Sequence, residues 1–114
     1  MASARINLLC AVMLTMLAAS LVLWGTPAAA DDAAATYKAK CAMCHGADGK
    51  GDTPVGKKMG IHDFASPEVQ KMSDDELITA ITKGKNKMPA YENKLSAAQT
   101  KDIVTYIRQL AKGK

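Results

Sequence analysis

The stretch Cys41-Ala42-Met43-Cys44-His45 constrains this chain more than any other part of it. Two thiols separated by two residues, with an imidazole directly after the second, have the spacing at which a porphyrin is attached covalently. Each thiol adds to one vinyl group, and the histidine is held beneath the iron as its proximal ligand. Three other readings of the cysteine pair compete: a thioredoxin-like dithiol, half of a zinc site, and a disulfide. The first needs strands alternating with helices, and the second needs two more ligands at close spacing. After residue 45 the chain offers only His62 and no further cysteine. The place of His45 immediately after Cys44 also argues against an ordinary surface imidazole. Haem c, held through Cys41 and Cys44, is the cofactor expected.

The N-terminal residues bear on where such attachment occurs. Arg5 precedes an apolar run from Leu8 to Trp24, and Gly25, Pro27 and Ala28-Ala29-Ala30 follow before the acidic Asp31-Asp32. Basic, then apolar, then small is the order of a secretory signal, with cleavage expected after Ala30. Residues 1–30 are therefore read as a cleaved signal peptide and 31–114 as one domain exported to the periplasm. The apolar run approaches the ~20 residues that span a bilayer, so the alternative is a retained anchor facing the periplasm. Membrane association is expected only in that case. Cys10 is not a lipoprotein cysteine, because the apolar run follows it, and it leaves with the signal.

Residues 31–114 are few for a core held by side chains alone. A porphyrin supplies a large apolar surface for leucines, valines and isoleucines to cover, and two thioether bonds restrict the unfolded chain as a crosslink does. The apoprotein is expected to fold poorly. The net charge is +4, less one when Arg5 leaves, with lysines spread along the sequence and no arginine-rich run. Nothing in that pattern points to nucleic acid, whereas a mildly basic surface suits acidic protein partners.

The remaining residues read as helices and loops. Asp32 is placed to cap a helix from about Ala33 through the cysteines, with Ala33, Ala34, Tyr37 and Cys41 on one face and Tyr37 packing inward. Residues 46–54 hold three glycines and a proline and read as a loop that bends around the proximal side of the haem, where a carbonyl near Pro54 is expected to accept the His45 Nδ1 proton. No strand precedes these glycines and a P-loop's spacing is missing. Residues 56–60 suggest a bend, Ser66-Pro67 the start of a short helical segment, and Phe64 a core or haem contact. His62 reads as solvent-facing. Ser73-Asp74-Asp75-Glu76 is a capping box for a helix with an apolar face of Leu77, Ile78 and Ile81, ending near Lys83-Gly84. Leu95-Ser96-Ala97-Ala98-Gln99 is a second box with a hydrophobic staple. It opens a helix whose Ile103, Tyr106, Ile107 and Leu110 face a partner while Lys101, Asp102 and Arg108 form its solvated side. The expected fold is all-α.

Between those two helices stands Lys87-Met88-Pro89. A thioether is a soft, neutral ligand that favours ferrous iron, and a proline-stiffened loop can present it without helix-interior strain. Met88 is accordingly read as the sixth ligand, with Met43, Met59 and Met72 as core fillers.

Taken together, Tyr37 one turn before Cys41, the Cys41/Cys44/His45 site, Gly49-Lys50-Gly51, Met88-Pro89 after a capped helix and the aromatic-containing last helix resemble the class I monohaem cytochromes c. The likeness is to small bacterial cytochromes of the c6 and c553 kind and to the cytochrome modules of cbb3-type oxidases, and it covers residues 33–112. The resemblance implies a small all-α fold with crossed N- and C-terminal helices around one haem, and His45 and Met88 as axial ligands. Two departures are the lack of tryptophan after residue 30 and the short middle segment, which leaves the propionate partners unassigned. A single Cys-x-x-Cys-His excludes a multihaem wire.

The function expected is a monomeric periplasmic electron carrier that transforms no substrate. Lys83, Lys85 and Lys87 are placed to orient it toward acidic faces of a redox donor and acceptor. The alternative is a peroxidase-like or gas-binding haem enzyme with an open or labile sixth position, which requires distal acid/base groups that the chain hardly offers beyond His62.

Overall fold

The computed structural model describes residues 28–113, so the expected signal segment, apart from Ala28–Ala30, lies outside the described residues. Six helices follow in order: α1 (Ala28–Lys40), α2 (Ala42–His45), α3 (Pro54–Met59), α4 (Pro67–Gln70), α5 (Asp74–Lys83) and α6 (Ala97–Ala111). Among the described residues there is no sheet, only an isolated bridge between Lys85 and Met88. The all-α expectation holds.

α1 begins five residues before the expected start, so Asp32 lies inside the helix and caps nothing. The alanines on either side of Asp31-Asp32 are the strongest helix formers, and Asp31 sits in the first turn, where the helix dipole favours an acid. Ala33 and Tyr37 are buried and Ala34 and Cys41 half-buried, which is the predicted face. α1 packs across α6, where the Tyr37 ring lies 5.2 Å from that of Tyr106. Tyr37, Phe64, Leu77, Ile81, Leu95, Ile103, Val104 and Ile107 form one core beneath this crossing. Each large aliphatic side chain so buried contributes roughly 1.5–3 kcal/mol.

Both predicted capping boxes are present. Ser73 and Glu76 exchange hydrogen bonds at the start of α5, and Ser96 and Gln99 do so at the start of α6. α6 buries more than the predicted stripe, for Thr100 and Val104 join Ile103 and Ile107. Thr100 is tolerated there because its hydroxyl donates to the Ser96 carbonyl. Arg108 departs from expectation. Its guanidinium donates to Asp74 at 2.9 and 3.1 Å and to the Met72 carbonyl at 2.6 Å, joining α6 to the first turn of α5 instead of lying in solvent.

The middle of the chain is more ordered than its composition suggests. Residues 54–59, expected as the end of a loop and most of a bend over 56–60, form α3. The Thr53 hydroxyl accepts from the Gly56 amide at 2.8 Å, Pro54 takes the first turn, and Gly60 closes the helix in the left-handed region. Ser66 precedes Pro67 as expected, but its hydroxyl makes no capping bond and is buried without a partner.

Candidate functional site

Cys41 ends α1, and the backbone breaks there, at φ −118°, before the single turn of α2 carries Cys44 and His45. Both thiols are free and half-buried. Burial pushes the Cys41 thiol up, and neighbouring Lys40 opposes that shift. The zinc reading fails on geometry, since among the described residues no three His, Cys, Asp or Glu side chains converge to hold a metal.

The His45 ring stacks on Phe64, with centroids 4.9 Å apart and planes at 27°. Burial lowers its pKa, which keeps the imidazole neutral, the form that ligates iron. Its Nδ1 is buried and has no hydrogen-bond partner, so the carbonyl expected near Pro54 does not accept from it. The carbonyls close by are taken from elsewhere: the Gly51 amide donates to that of His45 at 2.7 Å and the Thr53 hydroxyl to that of Cys44 at 2.9 Å. The Tyr37 hydroxyl donates to the Gly46 carbonyl at 2.7 Å. α3 presses on the same segment at Gly56, where a Cβ would lie 2.2 Å from the Gly51 oxygen and 2.6 Å from the Cys44 oxygen. The cysteine-histidine turn is thus clamped from α1, from the glycine loop and from α3.

Met88 lies on a loop closed at both ends. At its base the Tyr91 amide donates to Ile81 at 3.0 Å and the Glu92 amide to Thr82 at 3.2 Å, while Lys83 forms an ion pair with Glu92. At its tip Lys85 and Met88 exchange amide hydrogen bonds at 3.2 and 2.9 Å around Asn86, whose φ is +55°. Gly84 permits the turn, because a Cβ there would stand 2.6 Å from the Met88 oxygen. Met88 itself is half-buried against the core. The far end of the loop returns to the cysteines: the Tyr91 hydroxyl donates to the Lys40 carbonyl at 3.1 Å.

Between α3 and this loop runs an open groove of about 460 Å³ lined by Pro54, Val55, Lys58, Met59 and Lys87. Met59 and Met43, both expected as core fillers, are 41% and 76% exposed. Met43 occupies the outward position between the cysteines and Met59 the rim of the groove, whereas Met72 packs on the core as expected. His62 is exposed. Sequence reasoning missed Thr53 and Tyr91, although a threonine directly before a proline was a readable helix-cap signal.

A half-buried imidazole kept neutral and stacked on Phe64, with two free thiols on adjoining turns, fits haem c. These features on a crossed-helix fold define a c-type cytochrome. The family described as "Cytochrome C oxidase, cbb3-type, subunit III" matches residues 28–107, and the chain belongs to it as a small monohaem electron-transfer cytochrome. It is 37% identical to cytochrome c6 of Rippkaea orientalis, over 71% of this chain and 73% of that protein. It is 36% identical to cytochrome c6 of a Synechococcus species, over 83% and 88%. Subunit CcoP of the cbb3-type oxidase of Azospirillum brasilense is 32% identical over 76% of this chain but only 30% of its own length. Among solved structures, the KustC0563 c-type cytochrome superposes with a TM-score of 0.64 at 33% identity, covering 69% of this chain and 96% of that one.

Proposed function

We propose that the protein is a periplasmic electron carrier whose haem is held through Cys41 and Cys44 and ligated by His45 and Met88. Haem c, when bound, supplies one-electron ferric/ferrous chemistry. Cys41 and Cys44 would anchor it, and His45, stacked on Phe64 and kept neutral by burial, would ligate one face. Met88 would take the other face with a neutral sulfur that favours the reduced state. The observation that carries this reading is that the loop bearing Met88 is closed at Lys83–Glu92 and again at Lys85–Met88 and is tied through the Tyr91 hydroxyl to Lys40, directly before Cys41. A ligand held by such a loop is not readily exchanged, as a carrier needs and an open-site enzyme does not.

Docking on acidic partners would use Lys87 and Lys58 on the groove and Lys85 at the loop tip. Lys83, the third member of the expected lysine cluster, is committed to Glu92. The experiment is an optical spectrum of the exported holoprotein, ferric and then ferrous, followed by exposure of the ferrous form to carbon monoxide. A weak red-region band of methionine-bound ferric haem, with slow or absent carbon monoxide binding, is expected. A high-spin spectrum with rapid binding would replace the carrier by the open-site enzyme.

A further inference from the structure

We infer that Tyr91 is a positioning residue, a latch that fastens the Met88 loop to the helix bearing Cys41 and so governs how easily the sixth ligand is displaced. The inference rests on Met88 being that ligand. Of the hydrogen bonds among the described residues, only the one from the Tyr91 hydroxyl to the Lys40 carbonyl, at 3.1 Å, joins residues 84–92 to α1 or α2. It spans 51 positions in sequence. Its acceptor belongs to the residue immediately before Cys41, and its donor stands three residues after Met88.

The other ties of the loop are internal or lead back to α5. The Tyr91 and Glu92 amides bond Ile81 and Thr82, and Lys83 pairs with Glu92. They set the loop's shape, yet they leave its distance from the cysteines undetermined. The Tyr91 ring is held in place by the core on one side and by the Lys94 ammonium, 5.4 Å from its centroid, on another. Burial raises its pKa, so the hydroxyl keeps the proton it donates. Removing the hydroxyl alone leaves the ring, the backbone bonds and the ion pair intact. The loop then opens at its inner end at lower cost.

Imidazole, which must displace Met88 to reach iron, measures that cost directly. Wild-type and Tyr91→Phe ferric holoproteins are titrated with imidazole while the red methionine band is followed, and thermal unfolding of each is recorded alongside. Tyr106→Phe, on the last helix, serves as the control. Imidazole is expected to bind Tyr91→Phe about three- to tenfold more tightly than wild type, the worth of one net hydrogen bond. Equal affinity in the two proteins overturns the latch, even if Tyr91→Phe melts at a lower temperature, because a merely structural hydroxyl lowers global stability without favouring ligand exchange. Absence of the red band from the wild type overturns the Met88 assignment, and the latch with it.

Discussion

The Tyr37 hydroxyl donates at 2.7 Å to the carbonyl of Gly46, the residue directly after His45, so the first helix holds the haem-attachment turn by a buried bond. Tyr37 is 1% exposed, and burial keeps its hydroxyl protonated. Tyr37→Phe preserves the packing on Phe64 and Tyr106 but leaves the Gly46 carbonyl with the Gly49 amide, at 3.1 Å, as its one donor. A loss of about 1 kcal/mol is expected in denaturant unfolding of the holoprotein.

Gly56→Ala is expected to be more harmful than its size suggests. The added methyl would meet two backbone oxygens, those of Gly51 and Cys44, and neither can swing aside as a side chain can. α3 must move off the cysteine-histidine turn, at a cost of about 2–3 kcal/mol. Reduced haem incorporation and a lower unfolding midpoint check this, with Gly60→Ala, where a Cβ meets nothing within 4 Å, separating crowding from left-handed backbone strain.

Met88→Ala tests the axial assignment. Haem should remain attached through Cys41 and Cys44, the red band should vanish, carbon monoxide should bind rapidly to the ferrous form, and the reduction potential should fall. An unchanged ferric spectrum would refute Met88 as ligand. His45→Ala is expected to abolish the folded low-spin centre altogether.

Acid stability should depend on Glu76. Hydrogen bonds from the Ser73 backbone and side chain hold its carboxyl below the usual glutamate range. A carboxylate depressed in the folded state contributes stability that is present above its unfolded value and lost as pH falls through the folded one. Glu76→Gln keeps the capping geometry, as Gln99 does in the second box, but loses the charge. Unfolding curves of the two proteins should therefore differ slightly at neutral pH and converge in acid below the usual glutamate range.

Charge reversal at Lys85 and Lys87 tests the docking face. Lys85→Glu/Lys87→Glu should slow electron exchange with an acidic partner about tenfold at low salt, and stopped-flow rates should converge with wild type as salt screens the face. Equal rates at low salt would place docking elsewhere. Lys83→Glu is expected to act differently, by breaking the ion pair with Glu92 and loosening the loop.

Much of this was legible because local chemistry and tertiary structure agree. Ser73 and Ser96 start their helices where their capping boxes put them, and Tyr37, Ile103 and Ile107 lie on the faces that helical spacing assigns. The departures occur where a distant partner decides. Arg108 reads as solvated until the α5 terminus comes within reach, and Lys83 reads as a free charge until the loop returns Glu92 to it. α3 was obscured because Gly56 and Gly60 signal a bend, although one glycine permits close approach to the Cys44 carbonyl and the other ends the helix. The acceptor for His45 Nδ1 is not legible in the sequence, because no spacing encodes which carbonyls are already engaged.

The crossing of α1 with α6 has a consequence for the order of events in the life of the chain. Tyr37 stands four residues before the first cysteine, yet Tyr106, Ile103 and Ile107, with which it shares the core, come from the last helix. A chain made from its N-terminus presents its thiols long before the residues that will cover their helix exist. Cys41 and Cys44 thus emerge on a segment without its tertiary support, open to a modifying enzyme, and arrival of the final helix closes that interval. Attachment first and folding second is the sequence of steps this topology favours.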